Sequence, residues 1–420
     1  MSAAEGFKSF SDQRKELHRK LAEGLLHFVR EEGDVPAMNS GCAITSNADK
    51  DSAISVRIAE RLAQGIEPVC GTLRVAPKLP GQTYGTLFEL AISDFVRSAF
   101  SSLNHIRPGR WEVKKVTSRD DRLSIAEYEQ YAYLKVIDEF AKKYPELDAA
   151  LGADYFVTSD IVVIRDRLTD EEINRDAAGN PFLLVDETVA KRSRLRASAI
   201  ADAADLTGEG HLQGSQLLHA SISCKWTIRS DRAQNTRLEA RNLSSSRKGN
   251  QPHIVAVTAE PLPSRLASIA LSTGDIDCVY HIALDELLDA FIELDQALTR
   301  SHDELQISTA SLRARGEELA EIKQGMRQLR SEKQKLNLDK TQADYKPEIE
   351  RIRAAEKTLG ERKAASYAGL DQAALKHASR SIRAIRSQID QLKAEEKWLQ
   401  KMVHGNRLRD ISDLPLDLAV

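Results

Sequence analysis

Nowhere does this 420-residue chain run apolar for the ~18–20 residues that a membrane-spanning helix needs, so no such helix is expected. The opening MSAAEGFKSFSDQRKELHRK lacks the charged-then-apolar order of a secretory signal. Only four cysteines are present, Cys42, Cys70, Cys224 and Cys278, and none forms a CxxC pair. That leaves neither a disulfide frame nor a zinc motif and points to reduced thiols in a cytoplasmic protein. A GxxxxGK[ST] loop and a nucleophilic triad are also missing, so nucleotide-driven motion and acyl-transfer chemistry have nothing to rest on. Excess positive charge is lacking too: the net charge is −3, so any nucleic-acid role has to come from local clustering.

What is present is a soluble-type composition, 41% hydrophobic and 29% charged, long enough for a sizeable core and one further unit. Residues 1–40 read as an N-terminal helical segment with Leu17, Leu21, Leu25 and Phe28 on one side, ending near Gly33 and Pro36. Further helices are expected at Thr86–Leu103 and Ile125–Lys143. Strands are expected at Trp111–Val116, Tyr155–Ile164, Ser221–Ile228, His253–Ala259 and Asp277–Ile282. Short strands among long helices imply a mixed α/β (α+β) domain around one sheet.

Residues 297–401 follow another rule. Of positions 301–400, 36 are charged, 20 basic and 16 acidic, and the single proline is Pro347. Leu305, Leu312, Leu319 and Met326 recur every seven residues, with Ile322, Leu329 and Leu336 as the second seam, and Ile382, Ile385, Ile389, Leu392 and Leu399 repeat the alternation. This is a coiled-coil pattern, read as one long helix that turns and returns antiparallel, with breaks at Gly360 and Gly369. A solvated hairpin without chemistry is the commoner meaning of such a segment.

The chemistry gathers around Lys225. An apolar strand excludes an unpaired ammonium, so Lys225 either marks the strand's exit to solvent or sits in a site. Asp160 opens the run DIVVIRD, Glu239 follows the lysine by fourteen residues, and Glu89 lies on the helix at 86–103. Three carboxylates and a lysine are what metal-assisted phosphodiester hydrolysis uses. Among 63 acidic residues, however, a strand-edge lysine with scattered surface acids is the commoner arrangement. Between Lys225 and Lys248 there are seven basic and two acidic residues, a stripe suited to phosphates. Within it Arg229, Asp231 and Arg232 combine guanidinium forks with a carboxylate acceptor, which suits the edges of G and C. An internal salt-bridge network would have the same spacing.

The blocks LPGQTYGTLFE, HASISCKWTIRSDRAQN, VTAEPLPSRLASIAL, TGDIDCVYH and DISDLPLDLAV, in this order, resemble the NgoMIV family of type II restriction endonucleases. The similarity covers roughly residues 41–296 and 402–420. It implies the PD-(D/E)xK restriction-endonuclease fold and Mg²⁺-dependent double-strand cleavage of a GC-rich palindrome, GCCGGC, in a restriction–modification system. It also implies Asp160, Lys225, Glu239, Glu89 and Ser223 as catalytic residues. Metal ligands would come from Asp160, Glu89, Glu239 and the Cys224 carbonyl. Base readers would be Arg229, Asp231 and Arg232 for the inner CCGG, Asp49 and Arg265 for the outer pair, and Gln82 in the minor groove.

Three departures stand beside the likeness. Ser159 replaces the motif's proline, the stretch from Asp160 to Lys225 is long and includes TGEGHLQG, and the heptad segment is inserted within the C-terminal region. The expected organisation is therefore an N-terminal helical segment (1–40), a catalytic and recognition core (41–296), an inserted hairpin (297–401) and a closing piece of the core (402–420). The expected partners are duplex DNA and further copies of the chain, as a homodimer or homotetramer, with extra self-association through the hairpin. Two other functions remain open at this point: a non-cleaving DNA-binding protein assembled by its coiled coil, and a partner-activated nuclease with relaxed site preference.

Overall fold

The structure is a computed structural model. It describes residues 8–39, 41–116, 124–134, 137, 140, 143, 159–176, 178–186, 216–272, 274–338, 345–368 and 372–420. Helix α1 (Phe10–Gly24) starts at Ser9, whose hydroxyl accepts from the Asp12 amide, and buries Leu17 and Leu21. Two small ladders follow, β1 (Phe28–Val29) with β4 (Val75–Ala76) and β2 (Met38–Asn39) with β3 (Cys42–Ala43). Between them lies α2 (Ala53–Cys70), where Ile54, Ile58, Leu62 and Ile66 repeat every four residues and are all buried. Helix α3 (Gly81–Ser101) begins five residues earlier than its apolar pattern suggests.

The β-branched runs form a six-stranded mixed sheet. Its strands are β5 (Trp111–Lys115), β6 (Ile161–Arg165), β7 (Leu217–Lys225), β8 (His253–Thr258), β9 (Cys278–His281) and β10 (Leu408–Asp410), in spatial order β10-β9-β8-β7-β6-β5. Strands β5, β6 and β7 pair antiparallel, whereas β7, β8, β9 and β10 run parallel. The C-terminal ends of those four parallel strands consequently share one end of the sheet with the start of β6 and the end of β5. That end carries every candidate group on the strands.

Differences from the sequence reading have local causes. The strand expected to reach Ile228 stops at Lys225, because Trp226 turns away to pack on α3. Its ring stacks on Tyr84 with centroids 6.1 Å apart and meets Phe88 edge-on at 5.4 Å. Residues 155–158 of the expected strand and TGEGHLQG lie outside the described residues. The helix expected from Ile125 opens as two 3₁₀ turns, Ser124–Glu127 and Glu129–Tyr131. There the Gln130 side chain is drawn into the sheet, donating to the Leu218 carbonyl and accepting from its amide.

After the short α4 (Asp170–Ile173) come α5 (Ser230–Ser246) and α6 (Pro263–Ala270). Helix α7 (Leu284–Leu338) is followed by α8 (Tyr345–Ala368), α9 (Gln372–His404) and the C-terminal α10 (Leu414–Asp417). The chain divides into two compact units, Met1–Ile292 with Ala394–Val420, and Glu293–Lys393. In the second unit α7 and α8 run antiparallel, as Glu318 meets Arg362 and Ser366 while Lys333 meets Glu356. Leu319, Ile322, Ile349 and Ile352 are buried there, so the heptad positions make the seam. Of the two breaks expected in the returning arm, the one at Gly360 is not there, since α8 runs through it, and Gly369 lies outside the described residues, between α8 and α9.

The first unit is closed by polar clamps on its C-terminal piece. Arg14 of α1 bonds both Glu286 oxygens and both Asp410 oxygens, at 2.5–2.8 Å, and Asp410 also accepts from the Leu284 amide. His219 on β7 bonds the Leu418 carbonyl, and Arg107 donates to the Ala419 and Val420 carbonyls. Buried ion pairs of this kind fix geometry more than they add net stability.

Trp226 is the joint between the strand that ends on Lys225 and the helix that carries Glu89. Trp226→Ala should cost about 3–5 kcal/mol in chemical denaturation. An unchanged unfolding midpoint would show that this stack does not hold α3 to the sheet.

Candidate active site and nucleic-acid interface

The register of β6 against β7 pairs Ile161 with Ile222, which sets the preceding Asp160 beside Ser223, Cys224 and Lys225. The Asp160 Oδ2 atom accepts from Lys225 Nζ at 2.9 Å, from the Cys224 amide at 2.7 Å and from Ser223 Oγ at 3.5 Å. Lys225 and Asp160 retain only 19% and 15% side-chain exposure, so the lysine is held in a site and not at an exit to solvent. Burial alone would lower the Lys225 pKa, but the charges of Asp160 and Glu239 outweigh it and raise it. Cys224 is different. Full burial, then the nearby Asp160 and Glu89 charges, push its thiol well above the ordinary range, so it is no thiolate nucleophile. Its contribution is backbone.

Glu89 on α3 is buried and pairs with a residue that the sequence reading passed over. Lys115, the last residue of β5, places Nζ 3.1 Å from Glu89 Oε2 and donates to the Thr86 carbonyl at 3.2 Å. Asp160 directly precedes the neighbouring β6, and its carbonyl accepts from the Val116 amide. The signal was visible: in WEVKK the two-residue period puts Lys115 on the face of the buried Val113, away from exposed Glu112 and Lys114. Two acid–lysine pairs thus lie at one end of three adjacent strands.

Glu239 projects from α5 and lines, with Ser159, Ser221, Ser223 and Thr236, a cavity of about 10 Å³, room for roughly one water. Ser159 bonds Ser221 at 2.7 Å, so the residue standing where a proline is usual joins the serine lining. A larger cavity of about 240 Å³, between α1 and α3, contains none of the expected site residues.

The donor set at the sheet end consists of carboxylates and backbone carbonyl, which suits a hard divalent cation. Among the described residues no three His, Cys, Asp or Glu side chains converge as a ready-made cage. The set fits an ion that takes one or two carboxylates and keeps water, not one that needs a closed protein shell.

The expected base readers fall beside this centre in two groups. Arg265, in the first turn of α6, bonds the Asp49 carboxylate. Partial burial would raise the Asp49 pKa, but the Asp51 amide, Arg265 and Arg229 together hold it low, which brings Arg229 into the same field. Arg232 donates to the Thr227 carbonyl and lies against Gly81, next to exposed Gln82 at the start of α3. Arg229 and Asp231 are exposed at the N-terminal end of α5. A second residue missed from sequence, Glu260, is fully buried beneath these loops. Its Oε2 accepts from the Ile228 amide at 2.8 Å, its Oε1 from the Leu262 amide at 3.1 Å, and Arg265 lies 3.8 Å away. Ser264, next to Arg265, is held through amide and hydroxyl by both oxygens of Glu395.

A double-mutant cycle of Asp160→Asn and Lys225→Met, read by chemical denaturation, should return a coupling of about 1–3 kcal/mol. Additive effects would mean that the two groups do not hold each other.

The sequence of the chain matches known proteins. The family model described as NgoMIV restriction enzyme matches residues 17–319 and 347–420, reaching into the second unit from both sides and leaving 320–346 unmatched. The type II restriction enzyme NgoMIV of Neisseria gonorrhoeae is 50% identical over 278 residues, which is 66% of this chain and 86% of that protein. The sheet, the acid–lysine centre and these matches agree: the chain belongs to the NgoMIV restriction enzyme family.

Proposed function

We propose that the chain is a type II restriction endonuclease that makes Mg²⁺-dependent double-strand cuts at a GC-rich palindrome, GCCGGC. The observation that carries this reading is the part-buried Asp160–Lys225 pair, where β6 starts and β7 ends, four residues before the stretch that opens on exposed Arg229. Asp160, Glu89 and Glu239, with the Cys224 carbonyl, would hold Mg²⁺. Bound there, the ion would supply an acidified water and offset charge on the phosphate.

The chain's own groups do the rest. Lys225, kept charged by Asp160 and Glu239, orients the attacking water and faces the negative phosphate. Lys115 balances Glu89 in the absence of DNA. Ser223 steadies Asp160. Arg229, Asp231 and Arg232 read the inner CCGG, Asp49 and Arg265 the outer pair, and Gln82 the minor groove. A bidentate arginine on guanine discriminates against a wrong base by about 1–3 kcal/mol.

Cutting both strands of a palindrome calls for a two-fold dimer, and two dimers back to back would hold two duplexes as a tetramer. The second unit, whose α7 and α8 form an antiparallel pair, would add a further self-contact. Four free cysteines among the described residues and the absence there of a helix long and apolar enough to cross a membrane accord with work in the cytoplasm. The intact acid–lysine centre favours cleavage over a purely DNA-tethering role.

Plasmids with one or two GCCGGC sites, digested with Mg²⁺ present or chelated and sequenced at the ends, test the reading. Discrete cuts within that hexanucleotide, metal-dependent and faster with two sites, are expected. Binding without cutting, or cuts scattered over unrelated sequence, would overturn it.

A further inference from the structure

Glu260 belongs to neither the cleavage centre nor the set of base readers, yet it touches the backbone that carries both arms of that set. It follows β8 by two residues, where its amide donates to Thr258 Oγ1, and its side chain has no solvent exposure. One carboxylate oxygen holds the Ile228 amide, directly before Arg229; the other holds the Leu262 amide, three residues before Arg265. The Arg265 guanidinium stands 3.8 Å from the oxygen that serves Ile228. A single rigid carboxylate therefore fixes the distance between the loop after β7 and the loop after β8.

We propose that Glu260 is a positioning residue for sequence readout, acting by locking the Arg229 loop and the Arg265 helix into one spacing. This rests on the assignment of Arg229 and Arg265 as base readers. The chemistry behind it is that base reading depends on hydrogen bonds made with correct geometry, and a shift of one arm against the other spoils them at the cognate site first. Phosphate contacts, which are sequence-independent, tolerate such a shift better.

The lock has a handle. Burial pushes the Glu260 carboxyl up to about 7, against the pull of the Ile228 amide, Arg265 and the Leu262 amide and with a push from Asp49. The charged and titratable groups around it are Arg265 on α6, Asp49 before α2 and His281 on β9. Asp49 is held below its ordinary range, and burial depresses His281 to about 4, so neither changes charge between pH 6 and 8.5. Protonation of Glu260 turns one acceptor oxygen into a hydroxyl and loosens one of the two loops.

The test compares kcat/KM on GCCGGC with kcat/KM on a hexanucleotide carrying one substituted inner pair, at pH 6 to 8.5. Taking the ratio cancels the pH dependence of the cleavage chemistry. In the wild type the ratio should rise about 10-fold across this range. In Glu260→Gln it should be about 10-fold lower at pH 8 and flat with pH. A merely structural role would lower the active fraction for both substrates and leave the ratio unmoved. A Glu260→Gln ratio that tracks the wild type overturns the proposal. If that variant does not fold, the wild-type series decides, since a flat ratio also overturns it. Arg229→Ala and Arg265→Ala keep the two levels apart. If they discriminate as the wild type does, the base-reader assignment fails; if they lose discrimination while Glu260→Gln retains it, only the role of Glu260 fails.

Discussion

A lysine with one-fifth of its side chain exposed, at the end of a core strand, needs a carboxylate, and the β6–β7 register supplies one at 2.9 Å. Much of the first unit follows from satisfying that pair. Asp160 can hold Lys225 only because its second contact, the Cys224 amide, ties it to the strand that carries the lysine. That strand can end there only because Trp226 leaves the ladder and finds Tyr84 and Phe88 on α3. The same stack brings Glu89 to the sheet end, where Lys115 meets it. Packing, charge and register thus converge on a few ångströms of one sheet edge.

Strand direction explains why Arg229 and Arg265, the proposed base readers, gather at that edge as well. Four successive parallel strands discharge their following loops on one side, so the segments after β7 and β8 become neighbours without a dedicated binding domain. A parallel connection from β9 to β10 needs a crossover, and here the second unit, Glu293–Lys393, lies within that connection. The two segments flanking it are pinned within the first unit: Asp410 holds the Leu284 amide, and Arg14 clamps Asp410 to Glu286. Glu395, near the end of α9, reaches Ser264 beside Arg265. This part of α9 therefore touches α6, the helix that carries Arg265.

Five of the six strands of the main sheet and the heptad seam were legible because a two-residue or seven-residue period is a property of many residues at once; the three-residue β10 is too short to show one. Asp160 and Lys225 were legible as breaks in such periods. Helix α5 was not. Its buried positions are Ala233, Thr236, Ala240 and Leu243, so small and polar side chains blur the stripe that would announce a helix. Helix α2 carried a clear four-residue repeat of isoleucine and leucine that went unread. Glu260 could not be found from spacing, since a buried acid between prolines and alanines looks like any loop carboxylate until the two amides it accepts are known. The residues alone offered Glu89, Glu239 and the Arg229–Arg232 cluster as candidates beside commoner alternatives; their roles, and those of Asp49, Arg265 and Gln82, came through family resemblance. The structure adds where these side chains sit.

The central claim is that Asp160 belongs to a divalent-metal centre built on its pairing with Lys225. Mn²⁺ binding, measured by calorimetry or paramagnetic resonance on the full chain with a GCCGGC duplex bound, tests it most directly. The account predicts that Asp160→Asn still binds the duplex and loses at least one ion per chain relative to wild type. Equal numbers of Mn²⁺ ions, bound with equal affinity by both proteins, would contradict it.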